Sequence, residues 1–222
     1  MLRFETVSKR YPGGQDALAE LSFALAAGEF AFLTGHSGAG KSTVLRLIAL
    51  AEQPTRGAVY FNDQRLSQLR AGQVPFLRRQ IGQVYQDHRL LMTRTTLDNV
   101  SLPLVIAGMG RVEREKRARA ALDVVGLLDR ERALPGQLSA GEQQRVGVAR
   151  AIVARPPLVI ADEPTGNLDP GLAAEIMDLF AKLAETGSTV LVASHDLALV
   201  RSLRRRVLVL DHGRLVDDFR PR

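Results

Sequence analysis

The sequence predicts an α/β fold organised on a largely parallel β-sheet. Three observations carry that prediction. Short apolar runs alternate with helical spacing along the 222 residues, the pattern of strands joined by crossover helices. Two of the runs, Leu158-Val159-Ile160-Ala161 and Thr189–Ala193, are apolar without alternation, as a strand covered on both faces requires. Residues Gly35–Thr43 read G-H-S-G-A-G-K-S-T, which fits the phosphate-binding pattern G-x-x-x-x-G-K-[ST] and sits between a strand-like and a helix-compatible run.

In chain order, Leu2–Val7 alternates as a strand and Tyr11-Pro12-Gly13-Gly14 is a turn. A second strand lies within Ala17–Leu25, and Ala26–Glu29 connects it to the strand Phe30–Thr34. The helix after the loop runs through Val44–Leu50 and ends near Pro54–Gly57. Strands follow at Ala58–Phe61 and Ile81–Tyr85. From Thr95 to about Ala154 the spacing turns helical, with a charged helix over Arg111–Leu122 and punctuation at Gly126, Pro135 and Gly136. This reads as a helical insert, because strands resume after Pro156-Pro157. An amphipathic helix is expected over Ala173–Ala184, and Val207–Leu210 with Arg214–Val216 suggests a closing hairpin around Asp211-His212-Gly213.

The chemistry expected of the loop follows from its residues. Gly35, Gly38 and Gly40 allow a tight turn that aims backbone N–H groups at an anion. The next helix points its positive end the same way. Lys41 supplies a charge for the outer phosphates, and the Ser42 hydroxyl suits Mg²⁺.

Other polar residues end buried strands, where ligands of open α/β sheets bind. Asp162 suits Mg²⁺ or its water shell, and Glu163 suits a general base toward an attacking water. Gln86, after Ile81–Tyr85, is a neutral amide able to reach Mg²⁺ or its water. His195 follows Thr189–Ala193 and reads equally well as structural. Tyr11 is either a strand-end aromatic or a flat face for a nucleobase. Leu138–Arg145 leads into a helix expected at Val146–Ala154, with Ser139 as N-cap and Glu142 completing a capping box. Such a helix start also favours an anion. A second phosphate-facing helix start in a chain with one phosphate loop suggests a site shared between two chains.

Composition narrows the classes. Apolar residues make up 45%, enough for one substantial core, and cysteine is absent, which excludes disulfides and thiolate metal sites. The first residues lack the apolar run of a signal peptide, and no stretch approaches the roughly 18 apolar residues of a spanning helix. The net charge of +6 comes from scattered arginines without a block or any tryptophan, a solvated surface more than a nucleic-acid face.

Taken in order, the motifs resemble those of the ABC (ATP-binding-cassette) ATPases over essentially the whole chain. Gly35–Thr43, that is Gly35, His36, Ser37, Gly38, Ala39, Gly40, Lys41, Ser42 and Thr43, resembles the Walker A loop. Gln86 is similar to the Q-loop glutamine, Leu138–Glu142 to the signature motif, and Leu158–Glu163 to Walker B. Asn167-Leu168-Asp169 resembles the D-loop, and His195 the switch histidine. The resemblance implies a RecA-like P-loop core with an antiparallel β subdomain, formed by residues 1–86 and 155–222, and a helical subdomain over about 87–154.

It also implies ATP and Mg²⁺ as cofactors and a head-to-tail homodimer. Glu163, His195, Gln86 and Lys41 would be catalytic. Ser42, Gln86 and Asp162 would hold the metal. Tyr11 would stack on adenine, and Ser139, Gly141, Glu142 and Asp169 would face nucleotide across the dimer. Tyr85–Met92, Asp98-Asn99-Val100 and Ile106-Ala107-Gly108 are similar to family members that act in cell division. These imply an integral membrane partner docking near Gln86–Met92 and a place at the cytoplasmic face of the inner membrane. Lipoprotein and macrolide exporters of the family are the next alternative, and a nucleotide-binding scaffold with little catalysis is another. One residue departs from the pattern: Ala140 stands where the family usually has Gly. A positive φ there would strain Ala by about 1 kcal/mol and lower activity.

Overall fold

The buried runs form the centre of a parallel sheet, and the alternating runs form a second sheet beside it. The computed structural model describes residues 1–14, 16–166 and 168–221. Its strands are β1 (Leu2–Arg10), β2 (Asp16–Leu25), β3 (Phe30–Thr34), β4 (Arg56–Phe61), β5 (Gln64–Arg65), β6 (Ile81–Val84), β7 (Leu158–Asp162), β8 (Thr189–Ala193), β9 (Arg206–Asp211) and β10 (Arg214–Phe219). Its helices are α1 (Lys41–Ile48), α2 (Val74–Arg78), α3 (Thr96–Ile106), α4 (Arg111–Val124), α5 (Ala140–Ile152), α6 (Pro170–Glu185) and α7 (Leu197–Ser202).

Six strands lie in the order β10-β9-β3-β8-β7-β6. Strands β9, β3, β8, β7 and β6 are mutually parallel, and β10 closes the edge antiparallel to β9. The other sheet is antiparallel, in the order β2-β1-β4-β5. Because side chains alternate across a strand, the parallel sheet feeds two cores. Phe32, Val159, Ala161, Val190 and Val192 pack with α5 and α6 residues such as Val148, Met177 and Phe180. Ala31, Leu33, Leu158, Ile160 and Leu191 pack with α1 residues Val44, Leu47 and Ile48 and with Phe4 and Phe61 of the second sheet. The unbroken apolar runs are therefore apolar because both faces are used.

Several boundaries differ from the sequence expectation. Strand β1 continues three residues past Val7, where alternation of apolar residues has ended. A cross-strand pair sustains it instead: the Arg10 guanidinium donates to both Asp16 carboxylate oxygens at 2.6 and 2.8 Å. Helix α5 begins at Ala140, six residues before the expected Val146, because the Ser139 cap starts the helix at once. Helix α6 begins at Pro170, since Asp169 Oδ1 accepts from the N–H groups of Gly171 (3.0 Å) and Leu172 (3.1 Å). The short helices α2 and α7 were not legible as periodic runs, being 5 and 6 residues long.

Candidate functional site

Strand order brings the polar strand ends together. Strands β3, β8, β7 and β6 are consecutive neighbours and parallel, so their carboxyl ends share one edge. The loop Gly35–Thr43 leaves β3, Ser194-His195 leaves β8, Asp162-Glu163 ends β7 and Gln86 lies just beyond β6.

The loop owes its path to glycine at two decisive positions. Gly35 has φ 148° and Gly40 has φ 108°. A Cβ on Gly35 would lie 2.2 Å from the Leu210 carbonyl oxygen, and one on Gly40 would lie 2.7 Å from that of Ala17. Both glycines therefore serve backbone conformation and close approach. Ala39 is fully buried, whereas His36, Ser37 and Gly38 are exposed. The first backbone bond into α1 is from Val44 N–H to the Gly40 carbonyl at 3.0 Å. The amides of Lys41, Ser42 and Thr43 lie ahead of that ladder, with no side-chain cap and no acidic residue in the first turn. This is an anion-receptive helix start. The Lys41 ammonium folds over the loop and donates to the carbonyls of Gly35 (2.6 Å) and His36 (3.1 Å).

Asp162, Ser42 and Gln86 line one groove. Burial pushes the Asp162 carboxyl above its ordinary range, and the neighbouring Glu163 charge adds to the rise, while Ser42, Lys41 and Arg46 oppose it. A desolvated carboxylate beside the Ser42 hydroxyl, with the Gln86 amide on the same groove, is a set of hard oxygen donors, which fits Mg²⁺. Glu163 has φ 47°, a left-handed backbone rare for such a residue. Its amide is held by the Ala193 carbonyl at 3.0 Å, and its Oε1 lies 2.8 Å from His195 Nδ1. His195 is exposed and Glu163 is not, so the imidazole covers the carboxylate from the solvent side.

Tyr11 places its hydroxyl beside the first turn of α1. Its hydroxyl donates to Glu52 Oε1 at 2.8 Å and lies 3.4 Å from Thr43 Oγ1, and the Lys9 ammonium stands 5.2 Å from its ring centroid. Asp169 is occupied as the α6 cap. Of the neighbouring D-loop residues, Asn167 falls outside the described residues.

The Ser139 turn is capped reciprocally. Ser139 Oγ accepts from Glu142 N–H at 3.2 Å, and Glu142 Oε2 accepts from Ser139 N–H at 2.8 Å. That backbone donor holds the Glu142 carboxyl below the usual carboxylate range, with the Ser139 hydroxyl, Arg130 and Arg145 assisting. Ala140 is the first residue of α5 and is not among the residues with positive φ. The anticipated strain at Ala140 is absent, because the helix begins there in ordinary right-handed geometry.

Two residues that sequence patterns did not single out for the site support it. Arg150 of α5, nine-tenths buried, donates to the carbonyls of Arg89 and His88, each at 2.6 Å. Both carbonyls belong to left-handed residues, with φ 49° and 56°. Burial lowers the Arg150 pKa from its ordinary value. Asn99 of α3 is fully buried, and its amide bonds the backbone of Leu91, Arg94 and Thr95. The segment after Gln86 is thus held to two helices of the insert. Arg150 lies 61 and 62 positions from its two acceptors, so no local signal marks it, whereas Asn99 bonds carbonyls as near as Thr95.

The sheet-edge arrangement matches a known family. The family model described as ABC transporter matches residues 18–166, and the chain belongs to that family as an ATP-hydrolysing cassette. Within it, the chain is 53% identical over 215 residues to "Cell division ATP-binding protein FtsE" of Escherichia coli K12, covering 97% of each chain. It is 45% identical to the protein of the same name from Mycobacterium tuberculosis, covering 98% of this chain and 95% of that one. It is therefore an ABC ATPase subunit of the cell-division kind. A solved structure described as a dimeric post-hydrolysis state of the ATP-binding cassette MJ0796 bound to ADP and Pi superposes with a TM-score of 0.94. That protein is 36% identical, with 100% of this chain and 99% of that one covered. The cassette cbiO1 of Clostridium perfringens, part of the complex cbiONQ, gives a TM-score of 0.88 at 30% identity, with 99% and 88% covered.

Proposed function

We propose that the chain hydrolyses Mg²⁺-ATP as one half of a head-to-tail homodimer and drives an integral membrane partner of the FtsX type in septal wall remodelling. The observation that supports this reading best is the shared edge. Four adjacent parallel strands deliver the phosphate loop, His195, Asp162-Glu163 and Gln86 to one side, while the reciprocal Ser139–Glu142 cap is made within its own turn. A second copy is then the natural source of a Ser139 turn for each edge, in keeping with the dimeric ADP- and Pi-bound relative.

In this mechanism the amides of residues 35–43 and Lys41 take the β- and γ-phosphates. Lys41 exchanges its two loop carbonyls for phosphate oxygens. Ser42, Gln86 and Asp162 would hold Mg²⁺, which would supply positive charge against the phosphates. Glu163 accepts a proton from the water that attacks the γ-phosphorus, and the bond to the bridging oxygen of ADP breaks. His195, anchored on Glu163 through Nδ1, keeps the carboxylate oriented and reaches the γ-phosphate with its other nitrogen. Tyr11 offers a face to adenine. Ser139, Gly141 and Glu142 of one copy, with Asp169 near the interface, complete the pocket of the other, so closure assembles the site.

Residues 1–86 and 155–222 act as the catalytic unit, and about 87–154 as the unit that carries the Ser139 turn. The groove of roughly 1210 Å³ that Ser42, Gln86 and Asp162 line runs on between these units to Arg89, Leu102, Pro103 and Ile106. Ile106 and Met92 are exposed, at 56% and 57%. A short helix of the membrane partner fits here, in contact with the segment that Arg150 and Asn99 hold. No helix among the described residues is long and apolar enough to cross a membrane, so attachment at the cytoplasmic face runs through that partner.

The test is Glu163→Gln. Turnover is expected to fall by about 10²–10⁴-fold, while ATP-driven association, followed by sedimentation, persists. Unchanged turnover removes Glu163 from the mechanism.

A further inference from the structure

The side chain of His36 has no part in the mechanism above, and its surroundings are unusual. Its Nδ1 lies 2.6 Å from the Ser37 carbonyl oxygen, and its Nε2 lies 3.0 Å from Asp211 Oδ1. A carbonyl oxygen only accepts, so Nδ1 carries hydrogen. In a neutral ring Nε2 is then a lone pair, and it faces a carboxylate that also only accepts. His212 Nε2 approaches the same Asp211 oxygen at 3.8 Å, and the two imidazole rings are 5.0 Å apart. Two nitrogen donors and one carboxylate oxygen lie within 4.8 Å of one another. Ligand atoms of a tetrahedral ion with bonds of about 2.0–2.2 Å are separated by roughly 3.3–3.6 Å, so small side-chain rotations close the set.

Backbone, not side chains, sets this convergence. The β9–β10 turn is bonded to the phosphate loop through Gly213 N–H to the Ala39 carbonyl at 3.0 Å. It is bonded to β2 through Ala19 N–H to the Gly213 carbonyl at 2.9 Å. At the loop's other end Gly35 packs directly on Leu210. The backbone of Asp211 and His212 is therefore held opposite His36 before any ion arrives, which lowers the cost of assembling ligands.

We infer that His36, Asp211 and His212 form a binding site for a divalent transition ion of the Zn²⁺ class, tying the phosphate loop to the β9–β10 turn. Two imidazoles and one carboxylate select Zn²⁺, Co²⁺ or Ni²⁺ over Mg²⁺. The fourth position is left to water or another oxygen donor. Bound there, the ion adds a side-chain clamp between residue 36 and the hairpin that already packs against it. The site is separate from the Ser42, Gln86 and Asp162 oxygen set and does not depend on the ATPase reading.

The experiment titrates the purified full chain with Zn²⁺ in excess Mg²⁺ by calorimetry, and with Co²⁺ by visible absorption. One ion per chain is expected, with d–d bands of low-coordinate Co²⁺ and a higher melting temperature in Zn²⁺. His212→Asn is the first variant, because His212 has φ 45° and Asn tolerates that backbone. It should weaken Zn²⁺ at least tenfold and abolish the Co²⁺ bands. Asp211→Asn should do the same and guards against misfolding of the first. No stoichiometric binding overturns the inference and leaves a plain His36–Asp211 contact. Wild-type affinity in both variants also overturns it.

Discussion

The carboxyl edge of the parallel sheet and the Ser139 turn both suit phosphate, yet they are finished differently. At the edge the polar groups have unspent capacity. Helix α1 has no side-chain cap, Lys41 is satisfied only by carbonyls of its own loop, and the Asp162 carboxyl is penalised by burial. At the Ser139 turn the cap is closed on itself and Glu142 is stabilised as the anion. The edge gains free energy when a ligand and a cation arrive. The turn is capped without them, and in the proposed dimer it acts as a preorganised donor only once the pocket closes.

The comparison breaks most visibly if the turn is made unable to approach a phosphate. Ser139→Arg should lower turnover by about 10²-fold, the scale for losing one preorganised donor. ATP affinity of the monomer should stay the same, as read by equilibrium binding at low protein concentration. A parallel loss of monomer affinity would mean that the turn serves its own chain's edge.

A smaller effect sharpens the account of the edge. The folded Asp162 carboxyl holds its proton more tightly than the unfolded one, because burial raises its pKa. Stability therefore falls as pH rises from the unfolded carboxyl value through the raised folded value, and the full penalty remains at neutral pH. Asp162→Asn removes it. The ligand-free variant should melt a few degrees higher at pH 7, and the gain should vanish in acid. A lower melting temperature at pH 7 would show that the carboxylate is stabilised in place.

The smallest effect concerns Ala140. Since α5 starts there without strain, Ala140→Gly should cost up to about 1 kcal/mol of stability and leave turnover within about twofold. A large gain in turnover would restore the view that Ala140 handicaps the turn, and with it the low-activity scaffold.

How much of this was readable depended on distance along the chain. The Ser139–Glu142 box and the glycines of the phosphate loop were legible, because capping and tight turns are decided within a few residues. The start of α5 lies six residues before the expected Val146, because the apolar spacing of Val146 onward is stronger than the polar turn before it. The Glu163–His195 contact joins residues 32 positions apart and exists only because β7 and β8 are neighbours. The role of Arg150 exists only because the fold puts two left-handed carbonyls against it. The pairing of His36 with Asp211 spans 175 positions and left no trace in spacing.

By itself the sequence determined which segments are strands buried on both faces, where a phosphate loop interrupts them, and which polar residues end them. Those properties follow from local backbone preferences and from the period of apolar residues. Only the tertiary structure decided that the four strand ends share an edge, that Glu163 is covered by His195, and that Ala140 is unstrained. Strand order and long-range contact arise from packing two cores against one sheet, and packing is a property of the whole chain.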